Sequence, residues 1–344
     1  MTTATIRDVA RKAGVGVGTV SRVINGSPAV SEATRQKVLE VIETLDFSPN
    51  MVARRLSLGK TLTIGVIVPY FTNPSVVERL RGVVSVIAAS EYDMVLFDVE
   101  TVVRREACLR DVPRRRQVDG LLIVSLELTN EEVERLDRSD IPTVLVDARH
   151  PELNQVVVDN VEGGYIATRH LVKLGHRRIA YVSDFLNDPF NSPVRDRFTG
   201  YRRALDEAGI SFRPDYHRQS LHGREEARKM THELLDLTDP PTAIFAYCDT
   251  QAIGVIEAAR ERSLSVPADL SVIGFDDIEA AEYLNITTIR QALYKSGVLG
   301  SELLLESMAA AAPTPQQILL PTELITRRTT AAPRGAVAPH RTTV

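Results

Sequence analysis

The stretch TIRDVARKAGVGVGTVSRVIN, Thr5 to Asn25, decides how this chain opens. Ile6, Val9, Ala10 and Ala13 recur at i, i+3, i+4 and i+7, one face of a helix. Gly14 then permits a sharp turn, as a glycine at a helix C-terminus does. Thr19, Val20, Val23 and Ile24 give a second apolar stripe, ended by Asn25-Gly26-Ser27-Pro28. Ser31 is a good N-cap for a third helix with Val38, Val41, Ile42 and Leu45 on one side, and Phe47-Ser48-Pro49-Asn50 breaks it. Two helices about a glycine turn also occur as plain packing, so the polar face of the second helix carries the functional argument. That face holds Thr19, Ser21, Arg22 and Asn25, while Val20, Val23 and Ile24 turn inward. Arg22 suits a bidentate pair with a guanine edge in the major groove. Thr19, Ser21 and Asn25 have the length to reach phosphate oxygens, Val17 suits a thymine methyl, and Gly18 has no side chain to obstruct approach.

Charge points the same way. Residues 1–60 hold nine Lys/Arg against five acids, +4, so a chain of net charge −4 leaves −8 for the remainder. A basic head on an acidic body suits a head that meets a polyanion.

From Leu62 the texture changes. Apolar runs at 64–68, 94–99, 121–124, 144–147, 179–182, 243–247 and 272–275 alternate with helical patterns at 76–89, 161–174, 194–208, 225–237 and 250–262. This alternation predicts parallel sheets with helices on both faces. Pro113 predicts a short or kinked helix before Val118. The residues from about Arg328 are rich in Thr, Ala, Pro and Arg without a period and read as a disordered tail, 328–344.

Several function classes fall away. No apolar stretch is long enough to span a bilayer, and Met1 to Lys12 lacks a signal-peptide core, so a cytoplasmic protein without a membrane partner is expected. Cys108 and Cys248 are far apart and without metal spacing, so no metal and no disulfide framework are expected. There is no nucleophile elbow or P-loop, which argues against an enzyme, and no cofactor is expected. Gly14, Gly16 and Gly18 mimic part of a dinucleotide fingerprint, but no strand precedes them and the spacing is wrong.

Taken together, Thr5 to Val15, Thr19 to Asn25, Val30-Ser-Glu-Ala-Thr-Arg35 and Pro49-Asn-Met-Val-Ala-Arg-Arg-Leu56 resemble the head and hinge of the lactose/galactose repressor family. The likeness continues through Asp159-Asn160, Leu174-Gly-His-Arg-Arg-Ile-Ala180, Arg197, Gly200-Tyr201, Val272-Ile-Gly-Phe-Asp-Asp277 and Thr287-Thr-Ile-Arg-Gln291, nearly the whole chain. It implies a small all-α helix-turn-helix head and an α/β body of two doubly wound parallel-sheet lobes like the periplasmic sugar-binding fold. The expected layout is a DNA-binding domain at 1–48, a hinge helix and linker at 49–61, and a two-lobed effector-binding and dimerisation domain at 62–327. The N-lobe would take about 62–160 and 292–322, and the C-lobe about 161–291 and 323–327, with crossings near 160, 290 and 323.

The implied function is a sequence-specific transcriptional repressor, a homodimer on a near-palindromic operator, controlled by a small polar effector, a sugar or sugar derivative. DNA contacts are implied at Thr5, Val17, Gly18, Thr19, Ser21, Arg22 and Asn25, and in the hinge at Asn50, Ala53, Arg54, Arg55 and Leu56, with Leu56 as an apolar wedge in the minor groove. Effector contacts are implied at Asp147, Arg197 and Asp276 and near Asn73. Asp147, Asp249 and Asp276 each close a strand-like run, where open α/β sheets gather ligands. Phe190 and His222 are further candidates for a ligand face, although a lone loop aromatic also reads as packing. Three departures stand out. Gly16 occupies the cap before the second helix, where a serine is expected. Cys248 precedes Asp249, where the family usually has Asn or Ser. The chain has no Trp to serve as a stacking platform.

Overall fold

The computed structural model describes residues 4–47, 59–187, 192–309 and 314–334. Its contacts divide the chain into two units, Met1–Leu62 and Thr63–Val344.

Among its described residues the first unit packs three helices. α1 (Ile6–Ala13) begins where the Asp8 carboxylate accepts from the Thr5 amide at 3.0 Å and its hydroxyl at 2.6 Å. It ends at Gly14, whose φ of +65° is left-handed, the conformation glycine adopts without a Cβ penalty. α2 (Val17–Ile24) starts at Gly16 without a side-chain cap, so that departure is real. α3 (Glu32–Thr44) is capped by Ser31, whose hydroxyl accepts from the Thr34 amide at 3.4 Å. Val9, Ala10, Ala13, Val20, Val23 and Val38 close a common core, with Val20 and Val23 on the inward face read from the sequence.

The second unit contains two six-stranded sheets. In chain order it runs β1 (Thr63–Val68), α4 (Pro74–Ile87), β2 (Asp93–Asp98), α5 (Val102–Arg114), β3 (Gly120–Val124), α6 (Asn130–Asp137), β4 (Thr143–Val146), β5 (Asn154–Val158), α7 (Asn160–Lys173), β6 (Ile179–Asp184), α8 (Ser192–Glu207) and β7 (His217–Ser220). It continues with α9 (Arg224–Leu235), β8 (Ala243–Ala246), α10 (Asp249–Glu261), β9 (Ser271–Asp276), α11 (Glu279–Tyr283), β10 (Thr287–Gln291), α12 (Leu293–Ala309), β11 (Gln317–Leu320) and β12 (Thr322–Ile325). The sheet orders are β11-β5-β4-β3-β1-β2 and β12-β10-β9-β8-β6-β7. Among the described strands only β12 runs antiparallel to its neighbour. The chain passes between sheets after β5, after β10 and between β11 and β12.

Interior strands such as β1 and β3 are buried at every residue, as parallel strands covered on both faces must be, whereas edge strand β2 exposes alternate residues. The faces of β1 separate two cores: Ile64, Val66 and Val68 pack toward α4 and α12, and Ile67 packs with Leu109, Val112 and Leu136. α4 and α12 meet backbone to backbone. A Cβ on Gly82 would sit 2.1 Å from the Tyr294 carbonyl oxygen, and one on Gly297 2.0 Å from that of Arg79. Only glycine fits there, and this close packing fixes the helix that carries Arg79.

Two expectations need correction. α5 is a full 13-residue helix with Pro113 in its last turn, so the proline marks its end without shortening it. The segment expected to be a disordered tail is ordered as far as Arg334: the Thr329 carbonyl accepts from the Val272 amide at 2.7 Å, and the Ala331 amide donates to Ser271 Oγ at 3.0 Å. His176, buried, lies 2.8 Å from the Ala331 carbonyl, so backbone pairing supplies what composition concealed. Residues 335–344 lie outside the described residues. No described helix is long and apolar enough to cross a membrane.

Candidate functional site

Parallel strands place all their carboxyl ends along one edge of each sheet, and both edges border one cleft. Its cavity measures about 340 Å³ and is lined from one sheet by Tyr70, Asn73, Arg79, Ser125 and Asp147, and from the other by Asp184, Arg197, His222, Tyr247, Cys248 and Asp276, with Gln291 between.

Register explains the placement. Val124 pairs with Val146, so the next residues, Ser125 and Asp147, emerge side by side, and Ser125 donates to Asp147 Oδ2 at 3.1 Å. Arg290 pairs with Asp276, so Gln291 follows beside that carboxylate and donates to Oδ1 at 2.5 Å. Tyr70, Ser125, Asp147 and Asp276 all have left-handed φ angles, +48°, +53°, +57° and +113°. Backbone held in that region in non-glycine residues costs about 1–3 kcal/mol each and gathers where geometry serves a ligand.

The polar side chains close into a ring. Arg79 donates to Asp147 at 2.7 Å and to the Gln291 carbonyl oxygen at 2.9 Å. Gln291 donates to Asp276, and Asp276 lies 3.4 Å from Arg197. Arg197 donates to Asn160 Oδ1 at 3.0 Å, and Asn160 returns to Asp147 at 3.3 Å. Arg79 and Asp147 belong to the first lobe, Arg197 and Asp276 to the second, while Asn160 and Gln291 sit where the chain passes between them. Arg197 is further fixed by the Tyr247 carbonyl at 2.8 Å and lies 3.6 Å from the Phe275 ring centroid, a cation–π contact. Burial raises the Asp276 pKa above the ordinary carboxylate range, against the pull of Arg197 and Arg79. Burial opposes the charge on Arg197, but Tyr247, Asp276 and Asp147 leave its pKa raised. Across the cleft, Asp184 accepts from Gln251 at 2.6 Å and pairs with His222 at 2.9 Å. Among the described residues no group of three or more His, Cys, Asp or Glu is arranged to hold a metal.

Of the effector contacts expected from sequence, Asn73, Asp147, Arg197 and Asp276 line this cleft. Asp249 does not. It is fully buried inside the second lobe, accepting from Thr288 Oγ1 at 2.6 Å and the Ile278 amide at 3.0 Å. The strand-end rule failed because Asp249 opens α10, one residue past the cleft-lining Cys248, and its side chain turns inward to tie down β10 and the loop after β9. Phe190 lies outside the described residues. Sequence reasoning passed over Arg79, Ser125 and Asp184, and took Asn160 and Gln291 only as part of the family likeness, without a role in the site. Arg79 did leave a signal, a lone arginine among Val76, Leu80, Val83 and Ile87 at helical spacing, and Asp184 closes a strand as the other acids do.

In the head, Val17, Gly18 and Arg22 are exposed on α2, and Thr19, Ser21 and Asn25 are half-buried. Two details qualify the expected contacts. Both donors of Thr5 are engaged by Asp8, so a phosphate would have to displace that carboxylate. Among the described residues Asn25 Oδ1 is buried without a hydrogen-bond partner. The hinge residues Asn50, Ala53, Arg54, Arg55 and Leu56 lie outside the described residues.

Residues 5–50 match the model of bacterial regulatory proteins of the lacI family, and residues 168–330 match a periplasmic binding protein-like domain. The chain is 38% identical over 309 residues to catabolite control protein A of Priestia megaterium, covering 88% of this chain and 92% of that protein. The chain belongs to the lacI family. A second lacI-family relative, the HTH-type transcriptional repressor PurR of Vibrio campbellii, is 38% identical over 88% of this chain and 91% of its own. Among solved structures, the lac repressor dimer bound to operator and the anti-inducer ONPF superposes with a TM-score of 0.83 at 28% identity, covering 96% of this chain and 100% of that one. The CelR–cellobiose complex gives 0.71 at 29% identity over 95% and 99%. As a lacI-family member this chain is a DNA-binding transcriptional regulator and not an enzyme.

Proposed function

We propose that this regulator is a cytoplasmic homodimeric repressor whose affinity for a near-palindromic operator is set by a neutral, hydroxyl-rich effector, a sugar or sugar derivative, held between the lobes. The closed ring through Asp147, Arg79, Gln291, Asp276, Arg197 and Asn160 carries this reading. Each charge in it already has an opposite partner, so the ring has no spare charge for an ionic ligand. Carboxylate and amide oxygens with remaining lone pairs suit hydroxyls, which both donate and accept. The ring also crosses both lobes and two of their connections, so a ligand that bonds to it bears on the angle between lobes. Related structures support a carbohydrate: CelR holds cellobiose, and a regulator from Enterococcus faecium, 29% identical, holds ribose.

Asn73, Asp147, Arg197 and Asp276 contact the effector directly in this proposal, with Ser125, Asp184 and His222 beside them. The head reads bases through Arg22, supported by Val17, Gly18, Thr19, Ser21 and Asn25, and the hinge enters the minor groove through Leu56. One head contacts few bases, and paired half-sites match a two-fold dimer. Val77, Val84 and Val95, each more than 40% exposed on α4 and edge strand β2, offer an apolar face for the second copy. The test is selection of bound sites from random duplexes, repeated with a panel of neutral mono- and disaccharides. The proposal expects a palindromic site whose recovery changes with one of the sugars; an asymmetric site, or a response only to anionic ligands, overturns it.

A further inference from the structure

We propose that the first lobe carries a second ligand site, an arginine-lined recess for an organic phosphate with more than one phosphate group. The recess, about 540 Å³, is bordered by the last turns of α5 and α6. It shares no lining residue with the effector cleft. Arg116 precedes β3 and Ser139 precedes β4, so the recess lies at the amino ends of strands whose carboxyl ends face that cleft. Its volume falls in the range of about 300–1,000 Å³ usual for small-molecule sites.

Five arginines line it, Arg110, Arg114, Arg116, Arg135 and Arg138, and no acid does. The carbonyl ends of two helices favour some positive charge, but that effect is local and modest, about 0.3–1 kcal/mol per surface charge. It does not call for five guanidinium groups around one hollow in a body of net charge −8. Arg135 and Arg138 are anchored by Nε to the carbonyls of Glu131 at 3.2 Å and Glu134 at 3.1 Å. Arg138 also lies 3.6 Å from the Glu134 carboxylate, and Arg110 is held by Asp111 at 2.9 Å. Among the described residues Arg114 and Arg116 have no hydrogen bond or ion pair to a side chain, and both are exposed.

Arg116 is informative in its backbone too. Its φ is +46°, just past the end of α5, where glycine is the residue that geometry favours. A guanidinium stands there at a conformational cost. Guanidinium forks match phosphate oxygens two at a time, and one monoanion would leave most of the positive charge uncompensated. Leu109 and Pro113, both buried, floor the recess and suit the apolar part of an organic phosphate.

Calorimetric titration of the full-length protein with ADP and with inorganic pyrophosphate at low salt tests the site. Both are expected to bind. Arg116→Gly, which suits the local backbone and so retains the fold, should weaken both by about tenfold or more, the loss of a charge-assisted contact. Arg115→Ala, outside the recess, should leave both unchanged. No binding overturns the proposal, as does sulfate competing as well as pyrophosphate. Binding that survives Arg116→Gly with undiminished affinity places the phosphate elsewhere on the molecule and also overturns it. If an unrelated DNA duplex competes and Arg116→Gly weakens only the duplex, the cluster is a DNA-phosphate contact and the small-molecule site is refuted.

Discussion

Gln291 holds Asp276 at 2.5 Å with its amide nitrogen while its oxygen accepts from Arg79 at 2.9 Å. One uncharged side chain at a lobe crossing thus joins the ion pair of one lobe to that of the other. Gln291→Leu removes both bonds and leaves a buried carboxylate one donor short, which should cost about 1–3 kcal/mol of stability. Gln291→Glu also removes the donor to Asp276 and sets a second carboxylate against it, offset in part by an ion pair with Arg79. Urea unfolding of the two variants measures the losses; a leucine variant as stable as the parent would show that the two bonds of Gln291 contribute nothing to stability.

Arg22 is exposed on α2 with no ion pair among the described residues. Arg22→Ala should relax base preference in each half-site and cost about 1–3 kcal/mol per half-site if the guanine contact forms. The comparison is binding to the selected operator and to random duplex. Equal losses on both would mean that Arg22 touches only phosphate.

Asp249 is tied to Thr288 and to the Ile278 amide, and a Cβ at Gly274 would lie 2.2 Å from its carboxylate. Asp249→Ala leaves two buried donors without acceptors, so a loss of about 1–3 kcal/mol for each unsatisfied group is expected. Folded Asp249→Ala should still bind the effector within about twofold of the parent, since no contact is removed. An effector affinity that collapses while the melting temperature holds would return Asp249 to the cleft.

Much of this architecture was legible because periodicity and strand ends are local properties. The inward face of α2, the alternation of strand and helix, and the acids after β4 and at the end of β9 all follow from short spacings. What escaped depended on contacts distant in sequence. Gln291 and Arg79 are 212 residues apart, and neither residue type announces a partner. Asp249 obeys the same local rule as Asp276 and yet faces the core, because Gly274 on the neighbouring strand leaves room for its carboxylate. The segment after Arg328 looks featureless by composition, but its order comes from β9 and His176, which the chain reaches only after folding.

His217 gives the pH dependence a sign. Burial, reinforced by Arg218, lowers its pKa from 6.5 to about 4. Its ring stacks on Phe198 at 4.5 Å and lies 3.1 Å from Ser183 Oγ. Above 6.5 both folded and unfolded chains hold it neutral. Between 6.5 and about 4 the unfolded chain takes up the proton and the folded one does not, so stability is lost as pH falls through that window. Burial lowers His170 and His176 as well, so they add in the same direction. His217→Phe keeps the stacking and should flatten the fall in denaturation midpoint between about pH 7 and pH 5 without abolishing it. An unchanged slope would mean that His217 titrates alike in both states.

The last prediction concerns coupling between cleft and operator. A ligand shifts an equilibrium between lobe angles only by its differential affinity for the two states. The ring supplies a way to differ, since Asp147 and Asp276 sit on opposite lobes and share it through Asn160, Arg197 and Gln291. Couplings of this kind are typically about 1–3 kcal/mol, or roughly 5- to 150-fold in affinity, and operator must change effector affinity by the factor with which effector changes operator affinity. Truncating Arg197 to alanine is a poor probe, because it also removes the bonds to Asn160 and the Tyr247 carbonyl and the contact with the Phe275 ring, and so confuses folding with signalling. Asp276→Asn keeps the volume and an oxygen to accept from Gln291, while removing the charge opposite Arg197. It should weaken the effector by about tenfold or more, the loss of a charge-assisted contact, and reduce the coupling factor toward one, with ligand-free operator affinity nearly unchanged. Operator titration with and without effector, and effector titration with and without operator, measure the factor from both sides. An asparagine variant with the parent's effector affinity and coupling would make Asp276 a structural residue of the second lobe and remove it from the effector site.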